Sequence, residues 1–79
     1  MKNELDKLMD GHANGIKTVV LNWVAMDSSG EIYAYENRPR LDGMFYRWKS
    51  NCGMSFRIGY TEDVKLIEQW QNSLRKIER

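Results

Sequence analysis

The chain has 79 residues, 12 Lys and Arg against 11 Asp and Glu, 42% hydrophobic and 29% charged residues. Those figures exclude wholesale disorder and a polyanionic surface, and the length fits a single domain over residues 1–79. No apolar run approaches the ~18 residues of a membrane span, and one cysteine with one histidine leaves no intrachain disulfide and no side-chain set for a tetrahedral zinc site. Taken in chain order, residues 3–10 predict a short helix, capped by Asn3, with Leu5, Leu8 and Met9 on one face and Gly11 ending it. From Lys17 to Asn37 the pattern becomes a β-hairpin. Thr18, Val20, Asn22, Val24 and Met26 alternate with Val19, Leu21, Trp23 and Ala25, and the turn is Asp27-Ser28-Ser29-Gly30. Its register sets Ala25 opposite Tyr33, Trp23 opposite Tyr35 and Asp27 opposite Glu31.

Residues 36–43, which include Pro39, read as a connecting loop, because proline cannot donate to a sheet ladder. Met44 to Ser50 and Met54 to Tyr60 then read as a second hairpin around Asn51-Cys52-Gly53. In that register Ser50 faces Met54, Trp48 faces Phe56, Tyr46 faces Ile58 and Met44 faces Tyr60. The last segment reads as a longer helix that opens at Thr61, with Glu62 and Asp63 in its first turn and Arg75, Lys76 and Arg79 in its last. Val64, Ile67, Trp70 or Gln71, Leu74 and Ile77 form its apolar stripe. The expected fold is α+β: a four-stranded antiparallel sheet built from two hairpins, with a short N-terminal helix and a longer C-terminal helix on one face.

Charge is uneven along the chain. Residues 38–57 hold five basic groups against one acidic, a net +4, whereas residues 1–37 hold three against six, a net −3. In the second hairpin Phe45, Arg47, Lys49, Ser55 and Arg57 point away from the apolar set, and Arg47 stands opposite Arg57. Like charges so placed destabilise a sheet unless something outside the monomer compensates. Such a face has three readings: a solvated surface, a docking face for an acidic protein partner, or a platform for phosphate and a stacked nucleobase. The candidate partner-binding residues are Arg38, Arg40, Phe45, Arg47, Lys49 and Arg57. Eight rings (Trp23, Tyr33, Tyr35, Tyr46, Trp48, Phe56, Tyr60 and Trp70) exceed what one small sheet buries, so roughly two or three are expected at an interface, and a homodimer is expected with them. Catalytic signals are sparse. His12 with Asp10 lacks a nucleophile, Cys52 lacks an activating base, Asp27 and Glu31 shape a turn, and no phosphate-cradling glycine loop exists. The expectation is a protein that is not an enzyme and uses no cofactor or metal.

Val24-Ala25-Met26-Asp27, then Gly30-Glu31-Ile32-Tyr33-Ala34-Tyr35-Glu36, Pro39, Trp48 and Trp70-Gln71-Asn72-Ser73-Leu74 resemble a pattern in small, mostly uncharacterised bacteriophage accessory proteins. The resemblance spans Trp23 to Leu74, and the N-terminal segment departs from it. It implies action inside an infected bacterium, in the host cytoplasm, by binding that blocks a host defence system or redirects host machinery. The expected function is inhibition of a host defence or restriction component through protein–protein contact, with no membrane partner. The alternative is a nucleic-acid or nucleotide binding protein using the same basic face.

Overall fold

The computed structural model describes residues 2–16 and 20–78. Lys17, Thr18 and Val19, expected to open the first strand, and Arg79, expected in the last helical turn, lie outside the described residues. Helix α1 (Glu4–Asn14) starts where Asn3 accepts a hydrogen bond from the Asp6 amide at 2.9 Å. It runs past Gly11, correcting the expected stop, and ends at Gly15. The reason is packing: Leu5, Met9 and Ala13 recur every four residues and are all buried, so stopping at Gly11 would forfeit the last contact.

Strands β1 (Trp23–Met26) and β2 (Glu31–Tyr35) form the expected first hairpin, with Trp23 opposite Tyr35 and Ala25 opposite Tyr33. Gly30 occupies the turn at φ +89°, and a Cβ there would lie 2.3 Å from the Thr61 carbonyl oxygen, so both conformation and space demand glycine. Val24, Met26, Ile32 and Ala34 are fully buried on one face of this pair, where α1 also lies. Burying each of the larger ones fully contributes about 1.5–3 kcal/mol.

Beyond residue 36 the expected fold is overturned. The second hairpin does not form. Strand β3 (Arg40–Asp42) arises within the supposed loop and pairs with β4 (Arg47–Lys49) as a separate two-stranded ribbon. Strand β5 (Ser55–Tyr60) pairs instead with β2, from Tyr35 opposite Ser55 to Glu31 opposite Tyr60. Two reversals compete for residues 44–50, and each serves a different partner. Residues 43–46 close the ribbon between Asp42 and Arg47, while Gly53 at φ +81° redirects the chain along β2. There Glu36 and Met54 lock the return: the Glu36 amide donates to the Met54 carbonyl at 2.8 Å, and the Met54 amide donates to the Glu36 carboxylate at 3.1 Å.

The longer C-terminal helix is also corrected. Helix α2 (Val64–Ile67) is one turn, capped by Asp63, followed by a 3-10 turn (Trp70–Asn72) and a two-residue strand β6 (Arg75–Lys76). Strand β6 pairs with β1, giving the sheet order β5-β2-β1-β6. Without it β1, which holds the buried Val24, Ala25 and Met26, would be an edge with unpaired buried backbone groups. Ser73 extends that service. Its fully buried hydroxyl accepts from the Met26 amide at 2.8 Å and shares its proton between the Trp70 and Met26 carbonyls at 2.6 and 3.1 Å. Backbone satisfaction of β1 therefore outweighs the helical periodicity of the segment.

Candidate functional site

The ribbon β3–β4 is the part of the molecule that most exceeds a core's requirements. Its register sets Arg40 opposite Lys49, Leu41 opposite Trp48 and Asp42 opposite Arg47. Only Trp48 turns inward, where its indole N–H donates to the Trp70 carbonyl at 3.1 Å. Arg40, Asp42, Arg47 and Lys49 share the other face by strand alternation. The expected like-charge pair of Arg47 with Arg57 does not exist, because their strands do not pair. Another does: Arg40 and Lys49 stand directly opposite each other.

The six sequence-predicted site residues are all exposed, but they fall into two groups. Arg40, Phe45, Arg47 and Lys49 lie together on the ribbon, with the Arg47 guanidinium 5.4 Å from the Phe45 ring centre. Arg38 and Arg57 are engaged elsewhere. Arg38 stacks 5.2 Å over Trp23, whereas Arg57 pairs with the Glu31 carboxylate at 3.3 Å and lies 5.5 Å from the Tyr60 ring centre.

Met44 and Tyr46, expected to face the core, stand instead at the ribbon tip. Met44, Phe45 and Tyr46 are 80%, 63% and 64% exposed. The tip is built rather than slack. Asp42 Oδ1 accepts from the Met44 and Phe45 amides at 3.1 and 3.3 Å. Tyr46 is held at φ +54°, a left-handed conformation that costs a non-glycine residue about 1–2 kcal/mol. The Tyr46 carbonyl compensates by accepting from both the amide and the hydroxyl of Ser28, at 3.2 and 2.6 Å. Asp42 followed by Gly43 is the signal that could have revealed this tip, since an Asp side chain accepting from amides two and three residues on opens a turn.

Between β4 and the tyrosine-bearing face of the larger sheet runs a cleft of about 230 Å³. Buried Tyr35 and Trp48 make its floor, Asp27, Tyr33 and Ser50 its half-buried walls, and exposed Arg47, Lys49 and Ser55 its rim. Asp27 Oδ1 accepts from the Trp48 amide at 2.7 Å, which ties the ribbon to the turn of the first hairpin. Burial pushes the Asp27 carboxyl above its ordinary range, against the opposing effect of that amide. Burial, reinforced by the Asp27 charge, likewise holds the Tyr35 hydroxyl well above its usual value.

His12, Asp10 and Cys52 each have neighbours of their own. His12 Nδ1 lies 2.9 Å from the Leu8 carbonyl, and its ring packs on Gly59, while Asp10 pairs with Lys2. Cys52 is exposed, with the Asn37 amide group 3.4 Å from Sγ. No group of three His, Cys, Asp or Glu residues placed to hold a metal occurs among the described residues, and no helix among them is long and apolar enough to cross a membrane. No family model, curated protein or solved structure matches the chain.

Proposed function

We propose that the chain is a non-enzymatic binding protein that docks the β3–β4 ribbon onto an acidic surface of a protein partner. The observation that carries this reading is the tip itself: three large exposed side chains, one of them on strained backbone, beside an Arg40–Lys49 pair that no ion pair among the described residues neutralises. Strained backbone persists only where surrounding contacts enforce it, and it concentrates at binding and switching sites. Exposed aromatic and Met side chains flanked by Arg have the make-up of an interface hot spot. The resemblance to phage accessory proteins supports the partner class, a host defence or restriction component in the bacterial cytoplasm.

Capture from nuclease-treated bacterial lysate tests the proposal. One protein should be retained by the wild-type chain and lost with both Arg40→Glu/Lys49→Glu and Met44→Ser/Phe45→Ser. Charge reversal should also slow association and flatten its dependence on salt. Retention by both double variants would sink the ribbon as the docking element. Capture that vanishes once nucleic acid is digested would favour the nucleic-acid reading instead.

A further inference from the structure

The cleft behind β4 shares Arg47 and Lys49 with the docking ribbon, but its Asp27, Tyr33 and Ser55 have no part in that reading. Its chemistry is mixed in a particular way. Two cations, Arg47 and Lys49, and the Ser55 hydroxyl stand at the open rim, with Ser50 beside them, whereas one carboxylate, Asp27, lies deeper beside aromatic rings. A simple anion would be met by Asp27 repulsion, and a simple cation would have to pass Arg47 and Lys49. A ligand carrying an anionic group at one end and N–H donors on a planar body at the other satisfies both. At about 230 Å³ the cleft falls below the ~300–1,000 Å³ typical of drug-sized pockets, so it suits one planar ring with its charged group left at the mouth.

We propose that this cleft binds a nucleoside monophosphate, with the phosphate on Arg47 and Lys49 and the base against Tyr33, its N–H edge on Asp27. The half-buried Tyr33 ring supplies a stacking surface that any base can use, while the buried Tyr35 closes the cleft beneath it. The Asp27 carboxylate supplies selection, since guanine offers it two adjacent N–H donors and adenine offers one amino group. The Tyr33 hydroxyl, 3.3 Å from Glu31 Oε2, fixes that ring's tilt from outside the cleft. Arg47 adds a fork of donors that matches phosphate oxygens.

The test uses the purified full chain without any partner, so its outcome is independent of the docking reading. Calorimetric titration with GMP should saturate at a Kd below about 1 mM. AMP and guanosine should each bind more weakly, guanosine by about tenfold for the loss of its charge-assisted contacts. The amide NMR signals of Tyr35, Trp48 and Ser55 should shift during the titration. Asp27→Asn keeps an oxygen for the Trp48 amide and should erase the preference for GMP over AMP. Lys49→Ala, a change at an exposed side chain, should weaken GMP about tenfold and leave guanosine unchanged. Failure of GMP to saturate by about 1 mM, inorganic phosphate binding as tightly as GMP, or unaltered GMP affinity in Lys49→Ala would each overturn the assignment.

Discussion

Tyr46 shows how a single residue links stability and binding in this chain. Its φ of +54° suits glycine better than tyrosine, and its side chain packs on no core. Replacing it by Gly relieves about 1–2 kcal/mol of left-handed strain and returns about half of that through greater unfolded-state freedom. The Tyr46→Gly variant should therefore melt at or slightly above the wild-type temperature in calorimetry, yet lose partner capture. Asp27 makes a second residue-scale case. Its folded-state pKa is raised above its unfolded value, so the folded chain holds this proton more tightly. The Asp27 contribution therefore favours the folded state most at acid pH, and it is lost as pH rises through the interval between the unfolded and folded pKa. Asp27→Asn removes the burial penalty on the charge. Its melting temperature should exceed the wild-type value at neutral pH, and the gap should close below the unfolded carboxylate pKa. A constant gap at all pH values would contradict this.

At the scale of elements, the first hairpin was legible because its determinants are local. Asp27 to Gly30 defines the turn, and period-two alternation then fixes every pair from Met26–Ile32 to Trp23–Tyr35. The second half was not legible, because its pairings are decided at a distance. Residues 44–50 carry strand propensity that either neighbour could have used. What selects β3 is the Asp42 carboxylate, which accepts from the Met44 and Phe45 amides, together with the anchoring of Trp48 on Asp27 and on the Trp70 carbonyl. The C-terminal segment misled for a related reason: a 3.6-residue apolar stripe says nothing of a bare strand edge waiting across the molecule. Ser73 is the hinge of that difference. Ser73→Ala leaves the Met26 amide without its acceptor in a fully buried site and should cost about 1–3 kcal/mol in urea unfolding. Gly30→Ala should cost about as much, since it forces both an unfavourable φ and a collision with the Thr61 carbonyl.

For the whole molecule, 79 residues bury only ~60% of the unfolded surface, so every covered edge matters. Helix α1 closes one face of the sheet, the Trp48 ribbon packs on part of the other, and β6 closes the β1 side. The Asp6–Arg75 ion pair joins the N-terminal helix to that last strand. Among the described residues the outer edge of β5 has no strand beside it, and Phe56 and Tyr60 on that strand are exposed. Together with Tyr46 these make three exposed rings of the eight singled out above. Edge-to-edge pairing of β5 between two copies would cover this edge. Light scattering should then give twice the 9.3 kDa chain mass, and Phe56→Lys should return the monomer value.

Composition and alternation alone determined the α+β class, the N-terminal helix, the first hairpin with its register, and the basic middle of the chain, because each depends on residues near one another in sequence. Only the tertiary structure decided that residues 40–49 fold on themselves, that Met44 and Tyr46 face solvent, that Arg38 and Arg57 serve their own subunit, and that the tail becomes a strand. Those outcomes turn on which distant backbone groups need a partner once the core has closed, and local pattern carries no record of that demand.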